Sequence, residues 1–182
     1  MRKLQNGNHT MGKMSFKFVD EPWSTNMKGF QGCIFTNGCF DIIHRGHIEL
    51  FKFCRSQHAY KQVVVGVNSD KSIRELKGPD RPIMLEKDRV AVLLAIQWID
   101  YVVIFDSKSV LPVIKAAKPS FLIKGGNYST KACASADQIV GQEFVESYDG
   151  IVYTAPLVEG VSTTEIIRRI MAPIPEKHIG EK

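Results

Sequence analysis

Two histidines three residues apart, in His44-Arg45-Gly46-His47, are the side chains of this sequence best placed to do chemistry. Before them run Thr36-Asn37-Gly38 and then Cys39-Phe40-Asp41, and before those the apolar residues 33–35. The apolar run reads as a buried strand that Thr36-Asn37-Gly38 breaks, after which Leu50, Phe51 and Cys54 recur at helical spacing. A helix opening near Ile43 carries both imidazoles on one face of its first turn. The free N–H groups there and the positive end of the helix dipole favour an anion. A lone histidine would be read as a hydrogen-bonded, partly buried residue. The pair, placed after a strand and a glycine turn, points to a phosphate site where the imidazoles hold the charge that develops in phosphoryl chemistry.

Other polar segments belong beside this one if the elements that carry them converge. Strands are expected over 33–36, 62–67, 101–105, 121–124 and 151–154, and the first four are near-continuous apolar runs, as in a parallel sheet covered on both faces. Helices are expected over 46–56, 86–98, 110–117, 136–148 and 163–171, with Val90, Leu93, Leu94 and Gln97 forming a face of the second. The alternation predicts an α/β fold, a doubly wound and mostly parallel five-stranded sheet over residues 31–172. Residues 1–30 read as an irregular arm, partly ordered by Phe16, Phe18 and Trp23, and 173–182 as a tail. Ligands of such a sheet bind at the carboxyl ends of its strands. Thr36-Asn37-Gly38, Val67-Asn68-Ser69-Asp70, Lys124-Gly125-Gly126-Asn127-Tyr128 and Glu159 through Thr164 all belong there.

Each of these segments also has a plainer reading. Lys77 and Arg81, in Lys77-Gly78-Pro79-Asp80-Arg81-Pro82, can reach phosphates, Lys as a point charge and Arg through its planar fork. The same stretch reads as a proline-set turn with solvated charges. Arg89 either turns into the site or pairs with Glu86. Lys124-Gly125-Gly126 lets backbone approach a ligand closely, or is a flexible strand exit. Ser162-Thr163-Thr164-Glu165 reads as a helix N-cap, whose exposed N–H groups also suit phosphate. No Walker A lysine-serine pair and no dinucleotide fingerprint is present.

The chain has 182 residues, 44% hydrophobic and 24% charged, with a formal net charge of +5, as expected of one globular domain. The basic residues are dispersed, which suits small anions and gives no sign of nucleic-acid binding. Cys33, Cys39, Cys54 and Cys133 show no CxxC spacing and read as buried thiols. No run reaches membrane-spanning length and no signal peptide opens the chain, so a cytoplasmic protein is expected and the sequons at Asn8 and Asn127 are read as coincidence.

Strand, Gly, Phe-Asp and HxGH in this order resemble the signature of the HxGH nucleotidyltransferases, which join a nucleoside triphosphate to a phosphorylated alcohol or sugar. The chain is most similar to the adenylyltransferases that convert D-glycero-β-D-manno-heptose 1-phosphate to ADP-heptose. The similarity runs through residues 36–47, Val67-Asn68-Ser69-Asp70, Leu76-Lys77-Gly78, Arg81-Pro82, residues 100–103, Lys124-Gly125-Gly126-Asn127-Tyr128, Val140-Gly141-Gln142-Glu143 and residues 160–164. Glycerol-3-phosphate cytidylyltransferases share the first and last of these, so they are the alternative within the superfamily. A nucleotide-binding module without turnover is the alternative outside it.

The resemblance implies a Rossmann-like nucleotidyltransferase fold, with ATP and a sugar phosphate as substrates and a homodimer as assembly. It implies that His44 and His47 stabilise the triphosphate and its leaving pyrophosphate, with Lys77 on phosphate. Thr36, Asn37, Gly38, Phe40, Gly46, Lys124, Gly125 and Gly126 would line the nucleotide pocket. Asp41 would order its loop, and Arg89, Ser162, Thr163 and Thr164 would hold phosphate. Asn68, Asp70, Arg81 and Asn127 would face the acceptor. Mg²⁺ would be held by phosphates and water, with no protein cage. Two departures stand out. Asn127 replaces the usual acid of Gly-Gly-Asp-Tyr, and residues 129–136 form a longer segment than usual. Such enzymes are often fused to a sugar kinase. No kinase domain is present here, so a separate kinase or a different acceptor is expected.

Overall fold

The computed structural model describes residues 9–11, 14–19, 27–126 and 139–172. In chain order the first half runs β1 (His9–Met11), β2 (Met14–Val19), a 3₁₀ turn (Met27–Phe30), β3 (Ile34–Gly38), α1 (Arg45–Gln57), β4 (Val63–Asn68) and α2 (Asp70–Lys77). There follow α3 (Glu86–Leu94), β5 (Tyr101–Phe105), α4 (Leu111–Ala117), β6 (Phe121–Gly125), α5 (Gln142–Glu146), β7 (Ile151–Ala155) and α6 (Thr163–Met171).

All five expected strands form and run parallel, in the order β5-β4-β3-β6-β7. Apolar residues alternate between the two faces of this sheet because successive side chains of a strand point opposite ways. Phe35, Val64, Val103 and Leu122 face one layer with Val113, Ile114 and Ala117 of α4 and Val145 of α5. Ile34, Val63, Val65, Val67 and Ile123 face the other with Leu50, Phe51 and Cys54 of α1 and Val90 and Leu93 of α3. The sheet is therefore doubly wound, and its order reverses between β3 and β6. A crevice opens at such a reversal because the connections on its two sides leave in opposite directions.

The arm differs from expectation. Residues 14–19 add β2 parallel to β5, and residues 9–11 pair antiparallel to β2, so the sheet has seven strands among the described residues. Phe16-Lys17-Phe18 alternates at the period of a strand, a signal outweighed in the sequence by the surrounding glycines. Helix α2 was also not expected. Five of its eight residues are charged, and Ile73 is its buried apolar residue, which hides the period. Its start is marked by Ser69, whose side chain accepts from the Ser72 N–H at 3.0 Å. The second expected helix stops at Leu94, short of residue 98, where Ala95 and Ile96 close tighter turns onto Val92 and Leu93. Helix α5 begins only after Gly141, held left-handed at φ 91°, and residues 136–138 of the helix expected over 136–148 lie outside the described residues.

Gly66, in the middle of β4, lets the site-bearing strand sit close. A Cβ there would come within 2.8 Å of the Phe35 ring and 3.2 Å of the Asn37 Cβ. Gly66→Ala is expected to cost about 1–3 kcal/mol in urea unfolding, the usual cost of overpacking a filled core. A loss below about 0.5 kcal/mol would show that the ring has room to move.

Candidate active site

The crevice at the reversal point is a cavity of about 280 Å³. Asn37, Gly38, Cys39 and Phe40 close it from the end of β3, and His44, Gly46, His47 and Leu50 from α1. Gly125 of β6 adds backbone, and Pro156, Leu157, Val158, Val161 and Ser162 form the wall after β7.

The two imidazoles are stacked, with ring centroids 3.7 Å apart and planes inclined by 23°. His44 is the N-cap of α1, in extended conformation, and its backbone N–H donates to His47 Nδ1 at 3.4 Å. Accepting there requires Nδ1 of a neutral His47 to be bare, so Nε2 carries the proton and can donate to a ligand. Gly46 makes the stack possible, because a Cβ at that position would lie 3.1 Å from the His44 ring. Phe40 packs edge-on to His47, centroids 5.3 Å apart, and tilts against Phe51 beneath.

Burial lowers the pKa of both imidazoles. His47 falls to about 3 through burial first, and then through the charges of His44 and Lys77. His44 is lowered by burial alone. Both are therefore neutral donors at pH 7 in the free protein. The first turn of α1 contains no acidic residue, so the positive end of its dipole is unopposed. Asn37 Oδ1, His44 Nδ1 and Thr36 Oγ1 are buried with no hydrogen-bond partner. Buried polar atoms of this kind call for a partner, and a ligand in the cavity supplies one to the first two.

The loop that carries Cys39 and Phe40 is clamped from outside the cavity. Asp41 is buried and accepts from Arg81 Nε at 2.7 Å, Ile83 N at 2.9 Å and Met84 N at 2.8 Å. Burial pushes the Asp41 carboxyl up, but these N–H donors and the Arg81 charge outweigh it and hold the pKa below the ordinary value. Arg89, fully buried, donates to Cys39 O at 2.6 Å, Met84 O at 3.0 Å and Asp70 Oδ1 at 2.9 Å. Phe40 between them adopts φ 47°, a left-handed backbone that such restraints must maintain.

The expected site residues thus divide. Asn37, Gly38, Phe40, His44, Gly46, His47, Gly125 and Ser162 line the cavity. Asp41 orders its loop. Lys77 is exposed at the end of α2, close enough for its charge to act on His47. Arg89 neither turns into the cavity nor pairs with Glu86, because its three hydrogen bonds use the guanidinium as a brace. Arg81 is likewise held by Asp41 and Asp70 by Arg89, which takes both charges away from an acceptor in this conformation. Asn68 is buried and donates to Ser72 Oγ at 3.0 Å, and Thr36 is buried below the cavity floor. Ser162 caps α6 by accepting from the Glu165 N–H at 3.1 Å, with Thr163 and Thr164 in the first turn beyond the lining. Lys124 is half-buried and Gly126 follows the strand end, neither of them on the cavity wall, and Asn127 lies outside the described residues.

Sequence reasoning missed the apolar lining, Cys39, Leu50, Pro156, Leu157, Val158 and Val161. Its signal was the run Pro156-Leu157-Val158 directly after the last strand, where turn residues are usual and a flat apolar ring can be received. Among the described residues, no group of three or more His, Cys, Asp or Glu side chains could hold a metal, and no helix is long and apolar enough to cross a membrane.

A doubly wound sheet with a histidine pair at the helix following its first central strand defines a class, and comparison with known families agrees. The cytidylyltransferase-like family model matches residues 35–169, and the chain belongs to that family of nucleotidyltransferases. It is 47% identical over 137 residues to the bifunctional protein HldE of Alcanivorax borkumensis, covering 75% of this chain and 27% of that one. The chain thus spans about a quarter of the length of such curated relatives. Two solved structures share the fold. One is a lipopolysaccharide core biosynthesis protein from Thermoplasma volcanium, with TM-score 0.53, 20% identity, and coverage of 70% of this chain and 96% of that one. The other is a pantoate-beta-alanine ligase from Francisella tularensis, with TM-score 0.53, 12% identity, and coverage of 84% and 76%.

The brace makes a direct prediction. Arg89→Met is expected to lower stability by about 3–5 kcal/mol, since it leaves Asp70 and two carbonyls without their buried partner. Chemical unfolding measures it, and a loss under about 1 kcal/mol would show that water replaces the guanidinium.

Proposed function

We propose that this protein transfers AMP from ATP to a sugar 1-phosphate of the heptose 1-phosphate kind, releasing pyrophosphate and forming an ADP-sugar. The observation that carries the reading is the stacked, neutral histidine pair at the unopposed N-terminus of α1, inside a cavity with no carboxylate among its described lining residues. Such a site repels no phosphate and offers donors to one.

In the step we infer, a phosphate oxygen of the acceptor attacks the α-phosphorus of ATP. The new P–O bond forms as the bond to the bridging oxygen breaks, and pyrophosphate leaves with the electron pair. A phosphate monoester is already an anion, so no general base is needed and catalysis is positioning plus electrostatic stabilisation. His47 Nε2–H donates to the phosphates, and their charge favours protonation of imidazoles that burial otherwise keeps neutral. Lys77 adds a positive charge at the same edge. Asp41 and Arg89 act by holding the loop. The apolar residues 156–158 receive the base.

The available donors fit Mg²⁺ only as a cation carried by the triphosphate and water, since Asp41 and Asp70 are occupied by arginines. Bound so, it would screen the phosphate charges. The name of the Thermoplasma relative fits a sugar nucleotide as product, and the ligase in the comparison was crystallised with Beta-gamma ATP. We place the enzyme in the cytoplasm, where ATP is supplied, and keep a homodimer as the assembly to test.

Pyrophosphate release tests the reading, with ATP or CTP paired with heptose 1-phosphate or glycerol 3-phosphate. Release from ATP with heptose 1-phosphate is expected. Release only with CTP would make the protein a cytidylyltransferase, and ATP binding without release from any pair would make it a binding module. His47→Ala should lower kcat by about 10²-fold or more while leaving the melting temperature within a few degrees. Near-normal turnover in that variant would remove the histidines from the chemistry.

A further inference from the structure

Lys124 is the charged residue that the site, as described so far, leaves without a task. It lies at the carboxyl end of β6, one residue from Gly125 of the cavity wall. It is half-buried, and among the described residues its ammonium has neither an ion pair nor a hydrogen bond. The titratable group whose charge bears on it is Cys39, on the loop after β3. Burying a cation without a partner is costly unless something else supplies the countercharge.

The direction of the side chain follows from the strand. Ile123 packs in the layer with α1, and a Cβ at Gly125 would meet Leu50 of α1 at 3.3 Å. Leu122 packs in the opposite layer, so Lys124 by alternation faces away from α1 and its histidines. Thr36 pairs with Ile123 in register, which makes Asn37 the lateral neighbour of Lys124. Asn37 faces the same way, since a Cβ at Gly66 would touch Phe35 and Asn37 together. Its Oδ1 is the buried atom without a partner. Lys124 and Asn37 are therefore lateral neighbours at the ends of β6 and β3, with Asn37 on the wall of the cavity that also holds the stacked imidazoles.

In-line displacement needs the incoming and leaving oxygens on opposite sides of the phosphorus. With the pyrophosphate held by the histidines of α1, the incoming oxygen comes from the side of the phosphorus away from α1, toward the β3 and β6 ends where Asn37 and Lys124 lie. We propose that Lys124 binds the phosphate of the acceptor, with Asn37 Oδ1 beside it accepting from a sugar hydroxyl. The proposal rests on the nucleotidyltransfer reading above, and it assigns Lys124 to the acceptor where the family resemblance implied the nucleotide. The lowering of the free ammonium to about 8, by burial and against the opposing influence of Cys39, is what an unpaired cation awaiting an anion should show.

The test uses the full chain and the variants K124M and K124R. With ATP and heptose 1-phosphate, K124M is expected to raise the KM for the sugar phosphate at least about tenfold, the loss of one charge-assisted contact, and to leave the KM for ATP within about twofold. K124R should recover part of that loss. In the wild type the acceptor kcat/KM should fall as pH rises through about 8, because the lysine there loses the charge that pairs with phosphate. In K124R that limb should disappear, as a guanidinium stays charged beyond about pH 12, whereas a limb due to another group would persist. An unchanged acceptor KM in K124M, a raised KM for ATP instead, or a persistent limb in K124R would overturn the assignment.

A second measurement needs no turnover. Labelling of wild-type lysines at pH 8 with an amine-reactive reagent, read by mass spectrometry, should show Lys124 protected by heptose 1-phosphate or glycerol 3-phosphate and left reactive by ATP alone. Protection by ATP alone, or none by either monoester, would overturn the proposal. Absence of pyrophosphate release with protection intact would overturn the reaction and leave the monoester site standing.

Discussion

The structure of the site depends on a buried guanidinium. Arg89 reaches from α3 to the carbonyl of Cys39, the carbonyl of Met84 and the carboxylate of Asp70. A planar fork with five fixed donors can tie three segments of chain at once, which a lysine cannot do. The loop from Gly38 to Asp41 is tied a second time by the Asp41 carboxylate, through Arg81 and the N–H groups of Ile83 and Met84. Without these ties nothing obliges Phe40 to hold its left-handed backbone. Phe40 in turn supports His47 edge-on, so the geometry of the histidines is set from beneath.

The same ties decide the electrostatics of the cavity. Both carboxylates that could repel a phosphate, Asp41 and Asp70, are neutralised by arginines pointing away from the cavity. The described lining of the cavity is uncharged but directional: two imidazoles, the end of a helix dipole and backbone at Gly38 and Gly125. An uncharged, preorganised surface costs little to bury in the empty protein. It becomes strongly complementary only when an anion arrives and the local dielectric falls. The apolar wall at residues 156–158 completes the pattern of ligand sites, where a few aimed polar groups sit in a mostly apolar hollow.

Much of this was legible in the sequence. The five central strands, the position of α1 and the closing helix Thr163–Met171 follow from apolar periodicity. Gly46 could be seen as part of a motif, but its reason, room for the His44 ring, is visible only in three dimensions. The strand in the arm was hidden among glycines, and helix α2 because it has one buried apolar residue and leans on tertiary partners. Arg81 and Arg89 read as phosphate ligands because a basic residue near a phosphate motif looks the same whether it faces ligand or carboxylate.

The sequence by itself determined which chemistry is present: an imidazole pair on the first turn of a helix, after a strand and a glycine turn. Periodicity, breaks and motif spacing are properties of a dozen consecutive residues, so they need no knowledge of the fold. Only the tertiary structure decided which charges remain available to a ligand. Arg81 meets Asp41 across 40 positions and Arg89 meets Cys39 across 50, pairings that no local pattern contains. Among the described residues Lys124 stays unpaired for the same reason, because the parallel sheet brings Asn37 to its side and no described carboxylate with it.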